Sequence, residues 1–340
     1  MQHKLSEGPL LDNKGNLIEA GYAFDLVKKY SRRDIKGMVT RKKEWDYYFI
    51  NDEEFGVALT IDDNSYMGLV SVSVLDFKKR TQVTKSYMRW LTFGEIIFPS
   101  SSANGDVFAE GKNYSMFFCN KKGKRHLICT FKKLAKGKDF YCDIKLEPTS
   151  DGSMVIATPF KKKRHFYYNQ KINRLRANGF FRFGEDVHQF KTSSLGVLDW
   201  GRGVWTYSNT WYWSSLNANY EGHRIGFNLG YGFGDTSAAS ENMFFYDNKV
   251  FKLEDVKFNI PQNEKGQDEY MKPWTFTSEK GDINLTFNPI IDRYANTNAL
   301  IIQSKQHQVF GYFSGTIKVN EKEYKFENLL GFAEKVKNRW

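Results

Sequence analysis

Residues 57–74 read Val57-Ala-Leu-Thr-Ile-Asp-Asp-Asn-Ser-Tyr-Met-Gly-Leu-Val-Ser-Val-Ser-Val74. Val57, Leu59 and Ile61 point one way, Asp62-Asp63-Asn64-Ser65 turns the chain, and Val70, Val72 and Val74 alternate with Ser71 and Ser73. A period of two with a polar corner between the runs is the signature of paired, half-buried strands. The grammar repeats outward from this hairpin. Tyr114 to Cys119 turns at Asn120 to Lys124 and returns through Leu127, Cys129 and Phe131, and Phe140 to Leu146 and Met154 to Thr158 add strands. Gly179 to Phe183 and Val187 to Phe190 flank a turn at Gly184-Glu185-Asp186. Trp211 to Leu216 and Arg224 to Leu229 form another pair, and Met243 to Tyr246 meets Val250 to Leu253 across Asp247-Asn248. Phe24 to Lys29 and Phe332 to Lys337 are the only short helical candidates. The expected class is all-β, a sandwich or barrel, and closing a barrel removes exposed strand edges.

Composition agrees. Of 340 residues 41% are hydrophobic and 16% aromatic, with 29 Phe and 19 Tyr against 7 Pro, a strand-forming mixture long enough to bury a core unaided. The net charge of +11 resides mostly before residue 170, in the runs 121–138 and 161–164. These read as a solvated hairpin and loop; no nucleic-acid motif accompanies them, so nucleic acid is not an expected partner. Cys119, Cys129 and Cys142 are odd in number and lie in apolar strands, which predicts buried free thiols and a reducing compartment. Met1 to Pro9 has no apolar leader core and no long uncharged apolar run follows, so the expected location is cytoplasmic, without a transmembrane segment. A boundary is expected near residue 250: 1–250 as a first barrel carrying the Trp-rich segment, 251–340 as a smaller second barrel.

Chemistry concentrates in residues 196–242, where four of the 8 Trp fall between Trp200 and Trp213. Trp211 and Trp213 share a strand face, so they line a barrel interior or lie together along its outside. Gly230-Tyr-Gly-Phe-Gly-Asp235 lacks the spacing and following helix of a phosphate loop; alternating glycines in a strand favour bending or close backbone approach. Six scattered His and no Cys-x-x-Cys predict no metal site and no cofactor.

Several motifs together resemble a known bacterial family. They are Lys43-Glu-Trp-Asp-Tyr-Tyr48, Thr158-Pro-Phe160, Phe166-Tyr-Tyr-Asn169, Leu198-Asp-Trp-Gly-Arg-Gly-Val-Trp205, Thr210-Trp-Tyr-Trp213, Asn228-Leu-Gly230 and Ser240-Glu-Asn242, with Val309 to Thr316 and Gly331-Phe-Ala-Glu334 near the end. The family is labelled a domain of unknown function and is distantly related to lipocalin-like (calycin) carotenoid 1,2-hydratases and cyclase folds. The resemblance implies two lipocalin-like antiparallel β-barrels with few short helices. Where the hydratases carry a His, two residues before the Trp-Gly pair, this chain has Leu198. Where they carry Tyr-x-Asp, it has Phe227-Asn228-Leu229. The hydratase acid is therefore not carried over.

Asp199, Asp235 and Glu241 are the candidate acids. Asp199, with Arg202 three residues on, reads either as a pocket carboxylate tuned by its partner or as a structural ion pair. Trp200, Arg202, Trp205, Tyr207, Trp211, Trp213, Asn228, Asn242, Tyr168 and Asn169 are the candidate ligand-binding residues, and the indoles among them read equally as plain core. The first functional expectation is binding of a hydrophobic small molecule, lipid or isoprenoid-like, in an aromatic-lined barrel pocket. The alternative is a cofactor-independent lyase, isomerase or cyclase that protonates an alkene or polyene through a carboxylic acid, with indoles steadying the cation.

Overall fold

The computed structural model describes residues 2–135, 137–149, 152–299 and 302–339. Among them the chain is all-β, two strongly curled antiparallel sheets that each form a half-barrel, with a small two-stranded parallel sheet beside them. The hairpin at 57–74 forms as read, Phe55–Asp63 pairing with Met67–Asp76. The one helical turn described is the short 3-10 segment Arg32–Asp34. Phe332 to Lys337 is strand, inside Lys322–Arg339, and Phe24 to Lys29 supplies only the two-residue strand Lys28–Lys29. The Phe332 to Lys337 expectation fails because that stretch is buried strand through Val336, whereas Phe24 to Val27 is bend and coil. A strand buried on both faces loses its period-two alternation and reads as a short apolar block.

The first sheet has thirteen strands among the described residues. Its central order runs Thr81–Trp90, Met67–Asp76, Phe55–Asp63, Lys42–Asn51, Leu195–Val204, Phe166–Phe183. Leu195–Val204 is thus inserted, late in sequence, between an early strand and a middle one. The second sheet has nine strands, with Ser208–Tyr220 beside Lys322–Arg339 and Ile302–Val319 at its middle. The chain steps from one sheet to the other between Val204 and Ser208. Residue 250 falls within the second sheet, in the strand Lys249–Lys252.

Each half-barrel wraps its own apolar core. Tyr48, Leu59, Val72, Phe118, Phe140, Tyr168 and Trp200 fill the first. Leu216, Phe227, Trp274, Phe287, Phe313 and Phe326 fill the second. Alternation then sends the next residue of each strand outward, and on the facing strands outward means toward the other sheet. There Phe49 packs on Phe310 at 5.0 Å and on Phe332 at 5.7 Å, and Tyr47 meets Trp213 edge-on at 5.9 Å. A bulge between Ile172 and Leu175, with Arg174 at φ 59°, turns two polar residues across the seam. Asn173 donates to the Phe227 carbonyl at 3.1 Å and Arg174 to the Asp247 carbonyl at 2.7 Å.

The earliest described residues are stitched to the second sheet. Gln2 Nε2 donates to the Leu253 carbonyl at 2.9 Å, Ser240 N–H donates to Gln2 Oε1 at 2.7 Å, and His3 N–H donates to the Ala238 carbonyl at 2.8 Å. All three cysteines are free, Cys129 and Cys142 buried and Cys119 half-buried.

Candidate active site

The strand Phe166–Phe183 places Phe166 and Tyr168 in the first core, so Tyr167, Asn169 and Lys171 face the seam between the sheets. Lys171 is directly opposite Asp199 in the register, and Asp199 is opposite Tyr47. From the second sheet, Trp211 and Trp213 project off Ser208–Tyr220 and Glu334 lies opposite Trp213 on Lys322–Arg339. Glu241 arrives from the segment that follows Tyr231.

Lys171 is the hub. Its ammonium donates to Asp199 Oδ1 at 3.2 Å, Asn169 Oδ1 at 3.0 Å and the Tyr167 hydroxyl at 3.3 Å. It also lies 3.7 Å from Glu241 Oε2 and 4.4 Å from the Trp213 ring centroid. Asp199 accepts a second hydrogen bond from Asn169 Nδ2 at 2.6 Å. Glu241 Oε2 is buried and accepts no hydrogen bond among the described residues. Burial raises the Glu241 carboxyl above its ordinary range, opposed by the Lys171 charge and assisted by that of Asp199. Glu334 accepts from Trp211 Nε1 at 2.8 Å and from Gln308 Nε2 at 3.0 Å. Burial dominates there as well, and pushes its carboxyl up to about 7. The Lys171 ammonium contacts two of the carboxyl groups, Asp199 and Glu241, while the charges of Arg293 and Lys171 act on Glu334 and that of Lys252 on Glu241. Burial thus favours the protonated form of Glu334 and, in the same direction, of Glu241.

Aromatic rings cover the cluster. Trp205 meets Trp45 at 5.2 Å and Trp211 at 5.8 Å, while Phe233 touches Trp205 at 4.7 Å, Tyr167 at 4.8 Å and Trp211 at 5.2 Å. The rings pack edge to face with one another. Outside them lies a surface cleft of about 590 Å³ lined by Phe160, Thr206, Asn209, Thr210, Gly232, Gly234 and Asp235. Phe233 contacts Phe160 at 5.2 Å and so stands between the cleft and the acid cluster. It is flanked by Gly232 at φ 90° and Gly234 at φ 77°, conformations that favour glycine.

The structure divides the candidate residues by strand parity. Asp199, Asn169, Trp205, Trp211, Trp213, Asn228 and Glu241 converge at the seam; Asn228 accepts from Trp213 Nε1 at 2.7 Å. Trp200, Arg202 and Tyr168 point the other way, into the first half-barrel. Arg202 does not pair with Asp199, because residues three apart on a strand face opposite sides; it bonds Asp46 at 3.1 Å instead. Asp235 is exposed at the cleft, held below the usual range by hydrogen bonds from Ser237. Asn242 braces backbone, accepting from Gly230 N–H and donating to the Glu254 carbonyl, both at 2.7 Å. Tyr207 is exposed at the crossing between sheets. Lys171, Glu334 and Tyr167 are not among the sequence-predicted site residues, although Tyr167 and Glu334 lie in motifs that carry the family resemblance. The available signal was the polar alternation Tyr167-x-Asn169-x-Lys171 on a strand whose other face is apolar.

The wall therefore lies outside both half-barrels, between them, rather than within a barrel interior. Among the described residues no group of His, Cys, Asp and Glu is arranged to hold a metal ion, and no helix is long and apolar enough to cross a membrane.

A search of curated proteins gives no match. Among solved structures, the AttH-like protein NE1406 of Nitrosomonas europaea aligns over 92% of this chain and 98% of its own, with a TM-score of 0.54 at 11% identity. Kievitone hydratase of Nectria haematococca aligns over 100% and 98% with a TM-score of 0.49 at 10% identity, and CghA over 98% and 97% with 0.42 at 8%. At such identities the likeness to the first is one of fold. The motifs running from Lys43 to Glu334 have their counterpart in a match across residues 2–340, and the chain belongs to the family of the domain of unknown function DUF2804.

Proposed function

We propose that the seam is the active site of a cofactor-independent lyase, isomerase or cyclase that protonates a carbon–carbon double bond of a hydrophobic substrate. The observation that carries this reading is Glu241, a buried carboxyl with a raised pKa and one oxygen making no hydrogen bond. A carboxyl shifted toward its protonated form, with one oxygen making no hydrogen bond in an aromatic setting, is what alkene protonation requires. In the proposed step Glu241 gives its proton to one alkene carbon and the π pair forms the new C–H bond. The adjacent carbon becomes cationic, faced by Trp211 and Trp213. Addition of water, loss of a neighbouring proton or attack by an internal nucleophile completes hydration, isomerisation or cyclisation. Lys171 balances the carboxylate that Glu241 becomes, and Glu334 is the second group able to exchange a proton.

The test incubates the protein with a panel of apolar alkenes and polyenes in deuterated water and follows product by mass spectrometry. Deuterium on carbon, or gain of water, is expected from the native protein, with a loss of about a hundredfold or more in Glu241→Gln. A ligand that is retained and released unchanged by both proteins reduces the seam to a binding site.

A further inference from the structure

Five of the large apolar side chains exposed among the described residues fall within ten positions: Met88, Trp90, Leu91, Phe93 and Ile97. Leu91 is 65% exposed and Ile97 76%. They lie at the end of the edge strand Thr81–Trp90 and on the loop that follows. The loop is tied down, not frayed. Leu91 N–H donates to the Tyr66 carbonyl at 2.7 Å, Phe93 N–H to the Ser65 carbonyl at 2.8 Å, and Gly94 N–H to Asp63 Oδ2 at 2.9 Å. Leu91 and Phe93 adopt φ values of 60° and 46°, a conformation costly for such residues. Ordered backbone spent on holding apolar side chains in water marks a functional surface.

The same surface is cationic. A cleft of about 590 Å³ joins Gly94, Ile96, Ile97 and Phe98 of this loop to Arg32, Arg33 and Lys42. Arg32 is answered by the buried Glu44. Arg33 and Lys36 are exposed, and the like charges of Arg32 and Lys36 act on Lys42. Of the neighbouring carboxylates, Glu95 is bound by Arg89 at 2.8 Å, and buried Glu44 is bound by Arg32 and also acts on Lys42, which leaves Asp34 as the opposing charge beside Arg33 and Lys36. Apolar tips beside a surplus of cations complement an acyl layer beneath anionic headgroups.

We infer that residues 88–97, with Arg33, Lys36 and Lys42, form a docking face for the surface of an anionic phospholipid bilayer. Leu91, Phe93 and Ile97 enter the acyl boundary and the cations meet lipid phosphate. This stands independently of the acid cluster at the seam.

The full chain is sedimented with phosphatidylcholine vesicles containing phosphatidylglycerol and with phosphatidylcholine alone. Binding to the anionic vesicles only is expected, weakened by salt. Two variants, each checked for unchanged thermal unfolding, are expected to bind about tenfold more weakly: Leu91→Asn/Phe93→Asn/Ile97→Ser, with Asn chosen because it tolerates positive φ, and Arg33→Glu/Lys36→Glu. Absence of binding, equal binding to neutral vesicles, or binding that the loop variant leaves intact overturns the inference. So does a concentration-dependent dimer in sedimentation velocity that the loop variant abolishes while vesicles are ignored, which would make the patch an interface between two copies.

Discussion

Glu334 sits under Trp211 with its carboxyl pushed from 4.5 to about 7 by burial. A carboxyl raised in the folded state binds more protons there than in the unfolded chain. Its contribution is therefore fully favourable below the unfolded value and is lost as pH rises through about 7. The shift corresponds to roughly 3 kcal/mol at alkaline pH. Glu334→Gln is accordingly expected to flatten the fall in stability between about pH 4.5 and 7, measured by thermal unfolding across that range. Lys171 carries the opposite expectation. Lys171→Met removes the cation that contacts both Asp199 and Glu241 and should cost about 3–5 kcal/mol in urea unfolding. Adding Asp199→Asn to that variant should recover part of the loss. Asp199 and Glu241 were legible because they lie in the Trp-rich segment. Lys171 was not, and Glu334 was visible only as a motif residue, since each is a single charge in a strand distant in sequence, where a charge normally marks a solvated face. Only knowledge that the outer face of one sheet meets the outer face of another changes that reading.

At the level of elements, the hairpins declared themselves through alternation and turn residues, as at Asp62 to Ser65 and at Asp247-Asn248. What alternation does not state is which face is inside. Trp200 and Arg202 were grouped with Asp199 by proximity in sequence, yet one step along a strand is a half-turn in direction, and the group divides between a core and the seam. The segment after Tyr231 adds the second lesson. Its glycines suggested bending, and in the structure they frame Phe233, the ring between the cleft and the acids. Phe233→Ala removes contacts with Trp205, Tyr167 and Trp211 and should cost about 3 kcal/mol or more in stability. If Phe233 gates entry, the same variant binds an apolar fluorescent probe more tightly and faster than the native protein, as stopped-flow fluorescence would show; an unchanged association rate would remove the gating role.

The whole molecule is two half-barrels sharing one wall. Phe49, Phe310 and Phe332 bind the sheets across that wall, and Asn173 and Arg174 add hydrogen bonds from a bulge. The sheets should therefore unfold in one calorimetric transition, and Phe310→Ala should lower it by an amount equivalent to about 3–5 kcal/mol. Two separated transitions in the native protein would show that the wall does not couple them.

The stitching of Gln2 and His3 to Ala238, Ser240 and Leu253 has a temporal meaning. A ribosome makes these two residues long before their partners, so they wait unsatisfied until residues 238–253 have emerged. The late insertion of Leu195–Val204 imposes a similar delay on the centre of the first sheet. Maturation is thereby tied to the arrival of distant segments, and nascent chains stalled before residue 238 should be far more sensitive to protease around Gln2 and His3 than chains released beyond residue 254.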